Sequence, residues 1–183
     1  VLDAKIYEVA SPTTTPVDDV VIQFSHPVEG FDIGDLTLMH SGNEIPLTDI
    51  QQLTTGDGLT FVLGGLASLT SAWGSYTLTL VAVESGIIGE LDLPLNDGDS
   101  MSWFMRNPEQ ELFVDTLVDE ADGRLDDGDI SLRDAIALSL SGETIHFDES
   151  VDGGTILLEL GEILIDHAVT IDASVLPNGI VVD

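Results

Sequence analysis

Short runs of alternating apolar and polar residues fill most of the first hundred positions of the chain. Five of them, AKIYEVA, DVVIQFS, DLTLMHS, LTFVLGG and SYTLTLVA, have the period of two that sends successive side chains to opposite faces of a β-strand. The turn-forming segments SPTTTP, SGNE, TGDG and NDGD separate such runs. Several short strands at this spacing predict a β-sandwich over residues 1–106.

One later stretch, DGDISLRDAIALSLSG at residues 127–142, has a different period. Its apolar positions fall at helical spacing and form one stripe, made of Leu132, Ala135, Ile136 and Leu140. Ser131 is a good N-cap residue, and Asp134 follows three positions later, as in a capping box. Gly142 is a typical stop signal. The pattern predicts one short helix in a chain that is otherwise rich in strands.

Short apolar runs recur quickly after this helix. They are centred near Ile145, Ile156, Leu164, Ile171 and Val181. A coil of three short strands takes roughly 20–30 residues in a solenoid, so residues 144–183 hold about two coils. The polar segment RNPEQ precedes this region, and its Pro108 cannot join a strand ladder. We therefore place a linker at 107–110 and a second domain at 111–183.

The stretch FSHPVEGF leads into a strand, and a late strand, GSYTL, has the form G-x-Y-x-L. On these motifs the first hundred residues resemble the Ig-like modules of large bacterial surface proteins. It implies an Ig-like β-sandwich in a secreted or cell-surface protein. The family's Asp and Gly-Asn turn after this strand is replaced here by IGELDLPLNDGD.

Several distinctive elements follow one another within residues 111–183. They are, in order, an acidic glycine-containing loop, SLRDAI, a T-I-x-F strand at Thr144–Phe147, GTILL at Gly154–Leu158, and the apolar run Ile163–Ile165 followed by VTIDA. In this order they resemble the beginning of the pectin-lyase-like right-handed parallel β-helices of bacterial surface proteins. The resemblance implies an all-β chain in which an Ig-like sandwich precedes the capped start of a parallel β-helix. The helix at SLRDAI would close the first coil, whose end is otherwise apolar and prone to aggregation.

Two coils are fewer than the three or more repeats that solenoids generally need. We therefore expect further coils beyond Asp183, or self-association through residues after about Ala168. In the resembling enzymes the active sites lie on later coils, so no catalytic site is expected within these residues.

The charge balance excludes two classes of partner. The chain carries 34 acidic and 4 basic residues, a net charge of −30, so no basic patch is available for nucleic acid or anionic membranes. No apolar run reaches the ~20 residues of a membrane span, and there is no cysteine for a disulfide or a thiolate site.

Acidic residues are concentrated just before the predicted helix. Calcium binds oxygen ligands in loops, and the candidate ligands are Asp119, Asp122, Asp126, Asp127 and Asp129. The alternative is a solvated acidic turn beside the helix N-terminus. No other cofactor is predicted.

Three further residues have two interpretations each. Arg133 either contacts an anion or ties the acidic loop and strand carbonyls to the helix, and the acidic surroundings favour the second. Trp73 and Tyr76 either stack on a sugar ring or pack in the sandwich.

Catalytic candidates are few. Asp166 and His167 could support acid–base chemistry, but polar turn residues at the edge of an apolar run are the simpler interpretation. A lyase needs a base, and no Lys or Arg follows Arg133. We therefore expect a non-catalytic part of an extracellular adhesion or matrix protein that contacts polysaccharide or a cell surface. The alternatives are the N-terminal part of a polysaccharide lyase or glycoside hydrolase, and a purely structural stalk.

Overall fold

The computed structural model describes residues 1–125 and 128–183. Its contacts divide the chain into two compact units, Val1–Met105 and Arg106–Asp183. The division falls next to the predicted linker, with one difference: Arg106 belongs to the second unit, because its buried side chain binds residues of that unit.

The first unit contains ten strands and two short 3-10 turns, Ile33–Asp35 and Glu90–Asp92. The strands are β1 (Ala4–Ile6), β2 (Val20–Phe24), β3 (Val28–Glu29), β4 (Leu36–His40), β5 (Asn43–Ile45), β6 (Gln52–Thr55), β7 (Thr60–Gly64), β8 (Gly74–Leu80), β9 (Ile88–Gly89) and β10 (Asp99–Met105). Eight of them form two four-stranded antiparallel sheets, ordered β1-β2-β7-β6 and β10-β8-β4-β5. The short strands β3 and β9 pair with each other.

Both four-stranded sheets bury one face in a single apolar core. Burial follows the predicted alternation: β2 buries every second residue from Val20, and β8 does so from Gly74. Ile22 and Leu63 from one sheet and Leu38 and Leu78 from the other are completely buried in this core. The unit is therefore a β-sandwich, and the predicted all-β class is confirmed.

Three strands of the sandwich are not among the five that alternation predicts. β5 and β6 carry exposed and half-exposed side chains, so they lack an apolar rhythm. β10 pairs with β8 along all seven of its residues, but its last three, Trp103 to Met105, are consecutively buried. A period of two cannot reveal a strand whose two faces are both covered.

The described residues of the second unit form one α-helix, five short strands and a 3-10 turn at Glu149–Val151. These are β11 (Leu112–Val114), α1 (Leu132–Leu138), β12 (Glu143–Phe147), β13 (Thr155–Ile156), β14 (Val169–Asp172) and β15 (Val181–Val182). All strand pairs are parallel, in the orders β11-β12-β14 and β13-β15.

A constant offset of 26 residues relates the later strands. Ile145 lies opposite Ile171 in one sheet, and Ile156 lies opposite Val182 in the other. The loop between the sheets keeps the offset, because the Asn178 backbone N–H and side-chain amide donate to the carboxylate of Asp152 at 2.9 and 2.7 Å. Two successive stretches of chain are therefore stacked in register.

Helix α1 begins after Ser131, whose Oγ accepts a hydrogen bond from the Asp134 N–H at 3.0 Å. Its last residue is Leu138, Ser139 is its C-cap, and it does not continue to Gly142. Its stripe includes the buried Leu132, Ala135 and Ile136, and the helix packs against β11. Leu140, expected in this stripe, follows the helix and is half-buried.

Among the described residues the parallel sheets of this unit are short, and no closed β-helix is present. One expectation for this unit needs correction. The run Ile163–Ile165 is not a strand, because no strand of the described residues pairs with it, and Leu164 is 78 % exposed. Within the described residues, no helix is long and apolar enough to cross a bilayer.

Candidate functional site

A two-pronged ion pair joins helix α1 to the segment that precedes it. Arg133 Nε donates to Asp119 Oδ1 at 2.7 Å, and Nη2 donates to Oδ2 at 3.0 Å. Arg133 also donates to the carbonyls of Gly161 and Glu162, at 2.6 and 3.1 Å. The Leu160 N–H donates to Asp119 at 2.8 Å. One arginine and one aspartate thus tie together the helix, residue 119 and residues 160–162.

The electrostatics of this pair favour the charged forms of both partners. The hydrogen bond from Arg133 holds the pKa of Asp119 below its ordinary value, against the opposing effect of desolvation, and the Leu160 N–H acts in the same direction as Arg133. Asp119 in turn raises the pKa of Arg133. The Asp119 side chain is 1 % exposed, so its carboxylate is buried among the groups that donate hydrogen bonds to it.

The five candidate calcium ligands are not brought together by what the structure describes. Asp119 is engaged by Arg133, and Asp122 accepts a hydrogen bond from the Arg124 N–H at 3.0 Å. Asp129 is exposed. Asp126 and Asp127 lie outside the described residues. Within residues 1–125 and 128–183, no group of three or more His, Asp or Glu side chains could hold a metal ion. The calcium site stays a prediction.

Ser139, His167 and Asp166 form a hydrogen-bonded chain that the sequence did not reveal as a set. His167 Nε2 lies 2.8 Å from Ser139 Oγ, and its Nδ1 lies 2.9 Å from Asp166 Oδ1. The order of groups is that of a serine hydrolase triad. Asp166 and His167 are adjacent, but Ser139 lies 28 positions away and carries no local motif.

The geometry of these three residues indicates a structural role and not nucleophilic attack by Ser139. Ser139 is 3 % exposed, and its hydroxyl donates to the Ile136 carbonyl at 2.8 Å, as a helix C-cap does. A hydroxyl that donates to a carbonyl has no proton to give to the imidazole. The His167 contact lowers the pKa of Asp166, which favours its charged form. The three residues therefore fasten the end of α1 to the segment before β14.

The two candidate sugar-stacking residues of the sandwich have different environments. Tyr76 is fully buried, with its ring stacked on His40 at 4.4 Å and on Trp103 at 5.2 Å between centroids. Its hydroxyl donates to the Ala72 carbonyl at 2.9 Å, and burial raises its pKa. Tyr76 is thus a core residue, with no face open to a ligand. Trp73 is 49 % exposed and remains a candidate.

Arg106 is a buried basic residue that sequence reasoning placed beside the linker. Its Nη2 donates to the Gln110 carbonyl at 2.7 Å, its Nη1 donates to the Leu138 carbonyl at 3.3 Å, and it forms an ion pair with Glu143. Its side chain is fully buried, and its Nε has no hydrogen-bond partner. The sequence signal for its importance is that basic residues are rare in so acidic a chain. Its role is to hold residue 110, the end of α1 and β12 together.

A ladder of polar and aromatic side chains crosses the outer face of the three-stranded sheet. Phe113, His146 and Asp172 occupy matching positions on β11, β12 and β14. The rings of Phe113 and His146 lie 5.4 Å apart, and His146 Nδ1 lies 3.8 Å from Asp172 Oδ2. His146 also lines a groove of about 300 Å³ with Glu111, Glu143 and Thr144. Phe113 is 41 % exposed and lies beside these hydrogen-bonding groups.

No protein-family model matches the chain, and no curated protein matches its sequence. Solved structures similar to it include titin domain I10, with 13% identity and a TM-score of 0.29 over 58% of this chain and 99% of that one. Titin M4 has 13% identity and a TM-score of 0.27 over 56% of this chain and 95% of that one.

Proposed function

We propose that the chain is a non-catalytic module of a secreted or cell-surface bacterial protein, built from an Ig-like sandwich and the capped start of a right-handed parallel β-helix. The module presents a rigid surface for adhesion, and its ligand is a polysaccharide. The constant 26-residue offset between the parallel strands carries the proposal, because stacked coils in register are the repeating unit of a solenoid.

The strand order of the first unit supports the Ig-like assignment. Lettered along the chain, the sheet β1-β2-β7-β6 has the order A-B-E-D, and β10-β8-β4-β5 has the order G-F-C-C′. Tyr76 lies near the start of strand F, and its hydroxyl donates to the backbone four residues upstream. This is the arrangement of the tyrosine corner of such sandwiches.

Helix α1 supports the capped-coil assignment. Its apolar residues are buried, it packs against β11, and β11 is the edge strand of its sheet. A helix at this position covers the first strand of a stack, which would otherwise leave its apolar residues open to water. The Arg133, Ser139 and Arg106 contacts hold both ends of the helix in place.

The ladder of Phe113, His146 and Asp172 is the proposed carbohydrate contact in the second unit. An exposed ring can stack on the apolar face of a sugar, and neighbouring polar groups can bind its hydroxyls. A net charge of −30 disfavours anionic polymers, so the ligand is a neutral polysaccharide. Trp73, half exposed on the first unit, is a separate candidate contact.

Affinity electrophoresis of the purified chain in gels with neutral or anionic polysaccharides tests this proposal. We expect retardation by a neutral polymer, loss of retardation in Phe113→Ala, and no loss in the control Tyr7→Ala. Tyr7 is a matched control because it is 43 % exposed, close to the 41 % of Phe113. Absence of binding to every polymer would favour the stalk, and release of shortened sugar chains would favour an enzyme.

A further inference from the structure

Strand β10 of the first unit has one edge that is fully paired and one that is not. Along the paired edge it bonds to β8 over its whole length. In an antiparallel pair, alternate residues direct their main-chain N–H and C=O groups to opposite edges. Phe104 directs both groups outward, because its N–H donates to Ser11 Oγ at 3.1 Å and its C=O accepts from the Thr13 N–H at 2.9 Å. Ser100 and Ser102 share this orientation, since each is an even number of residues from Phe104.

The outer edge of β10 is open at these two serines. Within the described residues, no group bonds to the main-chain N–H or C=O of Ser100 or Ser102 on this edge. The opening is closed at both ends. At one end the Ile6 N–H donates to Asp99 Oδ2 at 2.7 Å, and at the other end the bonds to Phe104 occupy the edge. The main-chain groups of both serines are therefore available to a ligand.

A groove of about 390 Å³ runs along this open edge, between residues 5–11 and residues 99–102. Its lining includes the apolar side chains of Ile6, Val9 and Met101 and the carboxylates of Glu8 and Asp99. We call it the β10 groove. It combines an unpaired strand edge, an apolar lining and acidic side chains at one place.

We propose that the β10 groove binds a short, extended, basic peptide that adds as a strand to the outer edge of β10. An extended peptide main chain presents donors and acceptors at the strand repeat, so it matches the free groups of Ser100 and Ser102. Successive side chains of such a strand point to opposite faces, so alternate ones can meet the apolar lining. The closed ends at Asp99 and Phe104 limit the paired length to a few residues.

The charges of the groove select a basic peptide over an acidic one. Glu8 and Asp99 line it with Lys5, which is the only Lys or Arg within residues 1–105. The Lys5 ammonium lies 5.4 Å from the centre of the Tyr7 ring, so it already has a partner. Two carboxylates against one ammonium leave the groove negative, and the net charge of −30 attracts cations over a longer range.

Amide hydrogen exchange of the whole chain, measured by NMR, tests this proposal. The probe is a blocked pentapeptide in which valine and lysine alternate. We expect saturating peptide to slow exchange of the Ser100 and Ser102 amides at least about tenfold. The amides of Met101 and Trp103 face β8 and should exchange slowly with or without the peptide. The matched control is the same peptide with methylated main-chain nitrogens, which keeps the side chains and charge but cannot donate to β10.

Two variants with the same change in net charge locate the binding. Glu8→Lys should weaken affinity for the peptide at least about fivefold, because it reverses a charge in the groove. Glu29→Lys, at an exposed carboxylate on β3, should leave the affinity close to that of the wild type.

Three results would overturn the proposal. They are no slowing of Ser100 and Ser102 exchange, equal binding of the methylated peptide, and equal weakening by Glu8→Lys and Glu29→Lys. The second and third would show charge attraction without strand addition at this groove. The polysaccharide test involves Phe113 in the second unit, so the adhesion proposal fails or succeeds independently.

Discussion

Arg133 and Asp119 form an ion pair in which one guanidinium edge binds both carboxylate oxygens, with Nε to Oδ1 at 2.7 Å and Nη2 to Oδ2 at 3.0 Å. The pair fixes one of only four basic residues inside a chain with 34 acidic ones. Because Arg133 also binds the carbonyls of Gly161 and Glu162, one side chain holds three segments of the second unit. The interpretation of Arg133 as a tie for the helix explains these contacts without an external anion.

Replacement of Arg133 by Lys should therefore destabilise the second unit, even though the charge is kept. A lysine ammonium cannot reproduce the two-pronged pair and both carbonyl bonds at once. We expect the melting temperature to fall by several degrees in differential scanning calorimetry. Lys5→Arg, which also keeps the charge and lies at an exposed position of the first unit, is the control. Equal melting temperatures for wild type and Arg133→Lys would contradict the assigned role.

The acid stability of the chain should depend on Asp119. Its pKa is lower in the folded chain than its ordinary value, chiefly because of Arg133, so the folded state gains stability at pH values above the unfolded pKa, about 4. That contribution is lost as the pH falls through the folded pKa. We expect Asp119→Asn to be less stable at neutral pH and to lose less stability below about pH 4.

Urea unfolding at a series of pH values measures this effect, with Glu29→Gln as an exposed-carboxylate control. Hydrogen bonds also lower the pKa of Asp57, Asp148, Asp166 and Asp172, so the Asp119→Asn variant keeps an acid-sensitive slope that is smaller than that of the wild type. An unchanged slope in Asp119→Asn would be inconsistent with its pairing to Arg133.

The hydroxyl of Tyr76 should contribute measurably to the sandwich. It donates to the Ala72 carbonyl from a fully buried ring, and such a bond is worth about 1 kcal/mol. Tyr76→Phe should lower the free energy of unfolding by that amount in urea titrations. Tyr7→Phe serves as a control, because its hydroxyl bond to Gln23 is exposed. An equal loss of unfolding free energy in Tyr76→Phe and Tyr7→Phe would argue against a tyrosine corner at Tyr76.

Ser139 should be inert toward serine-directed phosphonate probes. Its hydroxyl is buried, so a probe cannot reach it. The hydroxyl proton is donated to the Ile136 carbonyl, so it cannot be transferred to His167. Mass spectrometry after prolonged incubation should find no adduct on Ser139, and incubation should add no mass to wild type or to the Ser139→Ala control. An adduct on Ser139 would show a reactive nucleophile and revive the enzyme alternative.

Local sequence patterns predicted two kinds of element. They are the strands whose residues are alternately buried and exposed, and the helix whose N-cap residue can be recognised in the sequence. β2 and β8 follow the period of two, and Ser131 begins α1 as its sequence context predicts. Ile163–Ile165 has a strand-like apolar run but no pairing partner, and such a partner is a tertiary property. The contacts of Arg106 with Leu138 and of Ser139 with His167 join positions 28 or more residues apart, for which the sequence offers no local signal.

The most direct test of the central claim is a cysteine pair that reads the 26-residue offset. Thr144 lies opposite Thr170, and the chain has no other cysteine to compete. Neighbouring strands place paired Cα atoms within the 4.4–6.8 Å that a disulfide spans. We predict that Thr144→Cys with Thr170→Cys forms an intramolecular disulfide on mild oxidation and raises the melting temperature. The control, Thr144→Cys with Val169→Cys, is one residue out of register and should remain reduced. Equal crosslinking of both pairs, or of neither, would contradict stacked coils in register.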